Sequence, residues 1–321
     1  MSTWVYILKR LLSSIPILFI VSLLSFFLIR LSPVDPLAQL KLNPAISEET
    51  IQKETKRLGL DKPIGVQYFL WVKNFIKGDM GYCTDNVKVS HKIKSRILNT
   101  LLLSACVIFF SWIIAIPLGI LAAVFYNSWF DKLLTVLSSV GMAIPSFFFA
   151  ILMLLLAQKT GWFPLGGLTS SNFSDLDFFA KVFDIAKHLF LPVFVLTTIS
   201  LSSLVRQMRA NLLDVLNSEY VKFAYAKGLT KTKVILKHAF RNAINPIITL
   251  LGFEFAGLLS GAVLTEYVFQ YPGLGKLVLE AVMSSDINLV MASLMIGAFM
   301  LILGNLISDI LLKLTDPRVR V

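Results

Sequence analysis

Six apolar stretches, each near the length that crosses a bilayer, constrain this chain more than any other feature. They are Leu11–Leu31, Leu98–Phe125, Leu133–Ala157, His188–Val205, Ala243–Ala262 and Leu289–Leu312. A helix rises about 1.5 Å per residue, so about 30 Å of hydrocarbon takes roughly 20 residues to span. A large soluble protein can bury one or two such segments. Six in a row within 321 residues, in a chain 56% apolar and only 15% charged, leave no polar surface to cover them. The 25 Phe and 5 Trp suit helices that face acyl chains and interfacial belts. The expected fold class is an all-α integral membrane protein with six transmembrane helices.

Charge sets the orientation. Arg206 to Arg241 carries 8 Lys/Arg against 2 Asp/Glu, Lys9 and Arg10 precede the first span, and Lys313, Arg318 and Arg320 follow the last. Lys159–Lys187 has 3 basic and 3 acidic residues, and Glu266–Ile287 has 1 basic against 3 acidic. Basic loops stay on the cytoplasmic side, so both termini are expected there. The net charge of +11 is then a topology signal, and nucleic acid is not an expected partner. The chain divides into an anchor helix (1–31), an extracytoplasmic segment (32–97), a five-helix core (98–312) and a cytoplasmic tail (313–321). Within the core lie a cytoplasmic loop, 206–242, and external loops, 158–187 and 263–288. The first apolar run is about twice a signal-peptide core and lacks a small-x-small cleavage site, so it reads as an anchor that stays.

The extracytoplasmic segment is long enough for a small lid, or for an irregular interfacial loop. Ser47 is placed to cap a helix running to about Leu58 with Gly59 ending it, Gln67–Phe75 reads as a short amphipathic helix, and Gly78-Asp-Met-Gly81 as a tight turn. Leu176–Lys187 has the pattern of an interfacial amphipathic helix, with Phe178, Phe179, Val182 and Phe183 apolar. Cys83 and Cys106 fall in different regions and form no disulfide framework.

Catalytic patterns are missing. A phosphate-cradling GxxxxGK[ST] loop is matched only in part by Pro272-Gly-Leu-Gly-Lys276, which lacks the first Gly and is followed by Leu277. His91, His188 and His238 lie on separate segments without metal-ligand spacing. No nucleophile–base arrangement stands out, so no catalytic residue, metal site or cofactor of the chain's own is expected.

Charges and prolines at membrane depth are informative. Glu254 falls near the middle of the fifth span, where an exposed carboxylate costs about 2.5–3.5 kcal/mol on insertion scales. It either lines a translocation path or makes a structural hydrogen bond between helices. Asp309 is expected to snorkel or to pair with a basic neighbour, and Arg30 to anchor the outer end of the first span. Pro16, Pro117, Pro145, Pro192 and Pro246 each remove a backbone donor within a span, which suits a protein that moves.

The basic loop holds a short helix. Asn217 or Ser218 can cap it, Glu219 sits in its first turn, and Gly228 ends it. Tyr220, Phe223, Ala224 and Lys227 recur at helical spacing, with small Ala224 and Ala226 permitting close approach of another surface. A second basic helix, from about Thr230 to Asn242, leads back to the membrane. The pattern alone fits either a membrane-surface helix or an element that docks a partner.

These residues resemble the permeases of binding-protein-dependent ABC importers, in their dipeptide, oligopeptide and nickel branch. Glu219-Tyr-Val-Lys-Phe-Ala-Tyr-Ala-Lys-Gly228 is similar to the coupling-helix motif, and His238-Ala-Phe-Arg-Asn-Ala243 continues it. Gly78-Asp-Met-Gly81, Gly261-Ala-Val-Leu-Thr-Glu266, Tyr271-Pro-Gly-Leu-Gly275 and Asp316-Pro-Arg-Val-Arg320 also match, so the likeness covers essentially the whole chain. Asn245 precedes Pro246 where the broader motif has Leu-Pro. The resemblance implies the type I ABC importer permease fold in a bacterial inner membrane. It also implies a second homologous permease subunit, two ATPase subunits that carry ATP and Mg, and an extracytoplasmic solute-binding protein. Glu219, Tyr220, Ala224, Ala226, Lys227 and Gly228 would contact an ATPase. Di- or oligopeptides are the implied cargo, and nickel or a nickel chelate is the alternative. An ion-coupled secondary transporter is the reading from another class, and Glu254 is its thin support.

Overall fold

The computed structural model describes residues 3–31, 37, 41, 47–57 and 59–315. The helix end at Leu58, most of 32–46 and the motif at 316–320 lie outside the described residues. Long apolar segments in lipid must satisfy their backbone internally, and helices do so. Accordingly, the described residues form helices joined by short turns, with a single isolated bridge between Tyr82 and Lys88.

Helix α1 is Thr3–Leu31. Two short helices follow, α2 at Glu48–Arg57 and α3 at Ile64–Ile76. The core begins with α4, Val89–Val124, then α5, Trp129–Ala143, and α6, Ser146–Thr160. After a 3-10 turn at Phe173–Asp175, α7 runs from Phe178 to Leu216. The loop helix α8 is Glu219–Ala226. An irregular helical stretch, α9 (231–243), carries a π-helical turn at Val234–Ala239. Three helices complete the chain: α10, Asn245–Val268; α11, Leu274–Met283; and α12, Ile287–Thr315.

Among the described residues, Ile7–Leu31, Val89–Val124, Phe178–Leu216 and Ile287–Leu314 are each long and apolar enough to cross a membrane. The pair α5 and α6 makes a fifth such unit. Helix α10, with 24 residues, is about 36 Å long, enough by length alone to cross.

Two expectations need correction. Leu133–Ala157 is not a straight span, because α5 and α6 meet at a 96° bend. Pro145 sits at the elbow and Ile144 is extended (φ −83, ψ 120), as a residue before proline prefers. The amphipathic stretch Leu176–Lys187 is not a separate surface helix either. It forms the first turns of the 39-residue α7, capped by the Asp177 carboxylate, which accepts from Ala180 N at 3.0 Å. No proline or glycine interrupts the chain until Pro192, so nothing divides surface from span. Pro16, Pro117 and Pro192 lie within continuous helices, and Pro246 occupies the first turn of α10, where a missing donor costs little.

The short external features match their sequence signals. Ser47 Oγ accepts from Thr50 N at 3.3 Å, Gly59 has φ +66, and Gly78 and Gly81 have φ +82 and +78. Trp71 and Phe75 stack with ring centroids 5.1 Å apart.

Helices α4 and α7 form the spine. Buried Ala115, Gly119 and Ala122 let α7 approach closely, and Met208 packs where a Cβ on Gly119 would stand. One end of the spine, here the loop end, carries a cluster of Leu204, Val205, Met208 and Leu212 with residues of α8 and α9. The opposite, far end carries clusters around Cys83, Ile93, Leu274 and Leu289, and around Leu103, Leu189 and Tyr271.

Candidate functional site

At the loop end, α8 is a two-sided element. At about 100° per residue, Val221 and Ala224 fall on one side. Both are buried, Ala224 at 7% exposure, in the cluster with Leu212, Val234 and Ile235. Burying a valine alone contributes about 1.5–3 kcal/mol, so this side seats the helix on its own chain. Outward stand Tyr220 at 44% and Phe223 at 61% exposure. Glu219, Ala226, Lys227 and Gly228 are exposed as well.

The exposed side chains are partly ordered. Asn242 Nδ2 donates to the Tyr220 hydroxyl at 2.6 Å, tying α8 to α9. Lys222 Nζ lies 2.8 Å from Glu219 Oε1, and Lys227 Nζ sits 4.7 Å above the Phe223 ring. Gly228, with φ +77, turns the chain away, and its N–H donates to Tyr225 O at 2.9 Å. A left-handed residue after a helix is glycine's usual place.

Sequence reading therefore placed the helix correctly and divided its faces wrongly. The single face expected of Tyr220, Phe223, Ala224 and Lys227 is split, because Ala224 follows Val221 by one helical turn and goes inward with it. Ser218 stands at the N-terminal boundary, yet its hydroxyl donates back to Val215 O at 2.5 Å instead of capping. Phe223, which was not among the expected contact residues, is the most exposed large apolar side chain of the helix. An aromatic flanked by lysines in a polar loop was the signal for it.

At the loop end a further tie went unread in the sequence. Arg209 of α7 grips buried Asp131 of α5 with Nε–Oδ1 at 2.5 Å and a second N–H···O bond at 2.8 Å. Its guanidinium also lies 5.3 Å from the Tyr126 ring centroid. The fork-on-carboxylate geometry fixes the start of α5 against α7.

The far end is held by buried polar contacts of long sequence separation. Glu266 of α10, 0% exposed, accepts from Thr100 Oγ1 at 3.1 Å and from Lys276 N at 2.9 Å. Thr100 Oγ1 in turn accepts from Leu274 N at 2.7 Å. Asn99 Nδ2 donates to Pro272 O at 2.8 Å, and the Tyr271 hydroxyl donates to Asn99 O at 2.7 Å. The carboxylate thus sits at the N-terminus of α11, where amide donors and the helix dipole favour negative charge. Gly273 is required for this approach, since a Cβ there would overlap the Glu266 carboxylate. Burial, and then the nearby Glu266 charge, raise the Tyr271 phenol well above its ordinary value.

A second far-end tie joins Asp286 to Thr84 N at 2.8 Å and to Leu289 N at 3.0 Å. Burial, followed by the Asp286 charge, pushes the neighbouring Cys83 thiol up to about 12. Cys83 and Cys106 are both free.

Glu254 accepts from Trp112 Nε1 at 2.8 Å, joining α10 to α4. Asp309 meets Arg10 Nε at 3.0 Å, joining α12 to α1. Arg30 lies over the Phe26 ring at 5.7 Å. His188 Nδ1 is 2.8 Å from Asp184 O, and among the described residues no three His, Cys, Asp or Glu side chains gather as a metal site.

Residues 115–321 match the family described as "Binding-protein-dependent transport system inner membrane component". Residues 3–105 match its N-terminal family, "Binding-prot-dependent transport system membrane comp, N-term". The oligopeptide transport system permease protein AppB of Bacillus subtilis (strain 168) is 39% identical over 317 residues, 98% of each chain. The dipeptide transport system permease protein DppB of Alkalihalophilus pseudofirmus is 34% identical over 330 residues, covering 98% of this chain and 99% of that one. The glutathione transport system permease protein GsiC of Escherichia coli (strain K12) is 33% identical over 317 residues, 98% of each.

Proposed function

The chain belongs to the family of binding-protein-dependent transport system inner membrane components, the permeases of ABC importers, and from that premise we propose that it moves di- or oligopeptides inward. Peptide cargo is favoured because the relatives at 39%, 34% and 33% identity are named for oligopeptides, dipeptides and glutathione. The nickel reading has no such support among them, and an ion-coupled mechanism has no more than Glu254, which is already bonded to Trp112.

In this reading the loop end is cytoplasmic, as are both termini. The chain pairs with a second, homologous permease, and a solute-binding protein delivers cargo at the far end. ATP and Mg reside on two separate ATPase subunits, so this subunit moves cargo without changing it covalently. Helix α8 is the mechanical link. The observation that carries this is its division into a buried seat, Val221 and Ala224, and an exposed aromatic and basic knob. A knob with its own seat transmits force to α4 and α7 when an ATPase grips it. Glu219, Tyr220, Phe223, Ala226, Lys227 and Gly228 are the contact residues, and Ala224 acts from beneath. Glu254 lines the path by one oxygen while the other holds Trp112.

The test is peptide uptake and peptide-stimulated ATP hydrolysis by the full complex in vesicles. Gly228→Val has open space around it but strains the left-handed turn by about 1–2 kcal/mol. It should lower stimulated hydrolysis while the chain stays in the membrane. Unchanged stimulation, or uptake that follows an ion gradient without ATP, refutes the coupling role.

A further inference from the structure

A cavity of about 400 Å³ opens at the far end, between the end of α1, α3, the Gly78–Gly81 turn and the start of α12. That volume is within the range of small-ligand sites. Its lining brings together three cations, Arg30, Lys56 and Lys62. The two carboxylates of the lining are already engaged by backbone amides: both oxygens of Asp286 by Thr84 and Leu289, and Oδ1 of Asp79 by Gly81 at 3.0 Å. Among the described residues, three polar atoms in the same walls are buried without a hydrogen-bond partner, the donors Arg30 Nε and Trp71 Nε1 and the acceptor Gln67 Oε1. Leaving such an atom buried and unmet is costly, so each favours a ligand that meets it. Unmet donors beside cations call for an anion, and the unmet acceptor calls for a donor on the same ligand.

The depth of the cavity narrows the class. Arg10, paired with Asp309, and Arg30 are 20 residues apart on α1, or about 30 Å, so Arg30 stands at the hydrocarbon edge. Helix α3 reaches below that edge. Its Tyr68 hydroxyl is 2.8 Å from Ser22 Oγ, and the Tyr68 ring meets Phe26 edge-on at 5.4 Å. Ser22 lies about 12 Å inward of Arg30 along the helix. Away from the cavity, α3 exposes Phe69 and Ile76, and α1 exposes Leu24, Leu28 and Leu31. The cavity therefore carries charged and polar groups while the outer faces of the same two helices are apolar, at the depth where phospholipid headgroups meet their acyl chains.

We propose that this cavity binds the phosphodiester headgroup of a phospholipid from the leaflet opposite the coupling loop. Arg30, Lys56 and Lys62 neutralise the phosphate, Trp71 Nε1 donates to one of its oxygens, and Gln67 Oε1 accepts from the hydroxyl or ammonium of the head alcohol. The acyl chains extend from the opening into the hydrocarbon beside α1 and α3. The lipid would fasten α1 and α3 to the start of α12. Only the leaflet assignment rests on the proposed orientation, and the test reads lipid binding rather than transport, so the two readings can fail separately.

The assembled transporter, purified and delipidated in detergent, is titrated with phosphatidylethanolamine, and bound lipid is counted by native mass spectrometry. The wild type should retain one tight lipid that Arg30→Gln weakens at least about ten-fold, since a charge-assisted bond to phosphate is lost. Trp71→Phe, which keeps the ring and removes the donor, should weaken it about three- to ten-fold. Inorganic phosphate and phosphoethanolamine, lacking acyl chains, should compete poorly. Equal lipid retention by wild type and both variants overturns the proposal. So does tight binding of inorganic phosphate, which would assign the cavity to a soluble anion.

Discussion

The two ends of the bundle are built on opposite plans. At the far end, Glu266, Thr100, Asn99 and Tyr271 find their partners within the chain, across separations of up to 174 residues. At the loop end, α8 buries two small apolar side chains and leaves its aromatics and charges outward. The difference shows where each end finds its partners. A buried, mutually satisfied network holds a shape, because removing any member strands the others. An exposed aromatic and basic knob on an apolar seat is stable alone and gains its remaining contacts from another surface.

That contrast can be broken most forcefully at the carboxylate. Glu266→Ala should cost about 3–5 kcal/mol, since it removes the partner of Thr100 and of the α11 amides. Thermal unfolding of the detergent-purified chain would show it, and an unchanged midpoint would mean that water replaces the carboxylate. Next in size is a matched pair on α8. Ala224→Arg drives a charge into the seat and should lower folded yield and stimulated ATP hydrolysis together. Phe223→Ala should leave the unfolding midpoint nearly unmoved, while cutting stimulated hydrolysis at least about ten-fold if it is a hot spot. Equal behaviour of the two variants would erase the division into seat and knob.

A smaller effect concerns the far end. Cys83 is fully buried and its thiol is pushed up to about 12, so it stays protonated at pH 8. Maleimide should label it only on unfolding, whereas a cysteine placed at Tyr220 should label within the folded chain. Smallest of all, Lys222→Ala breaks an exposed pair with Glu219 and should shift stability by less than about 0.5 kcal/mol. A larger loss would mean that the knob is braced by its own charges.

The sequence was read best where the signal is local. Ser47, Gly59, Gly78 and Gly228 act within a few residues, and each stands at its expected turn or helix end. The helix at Glu219–Ala226 was legible for the same reason, as was the family likeness carried by its motif. The errors came where two local rules competed. Proline was noted at 145 as at four other positions, and only packing decided that this one would turn the chain by 96°. Helical spacing grouped Ala224 with Tyr220 and Phe223, although its burial depends on Val234 and Ile235 of the next segment.

Composition and periodicity by themselves determined that this is a helical membrane protein, where its apolar stretches fall and which loop is basic, because hydrophobic transfer and chain geometry act residue by residue. Only the tertiary structure decided that Glu254 meets Trp112, that Arg209 grips Asp131 and that Glu266 seats against Gly273. Those contacts depend on the rotation and register of one helix against another. Side chains far apart in the chain set that register jointly, through close packing, and no single stretch of sequence encodes it.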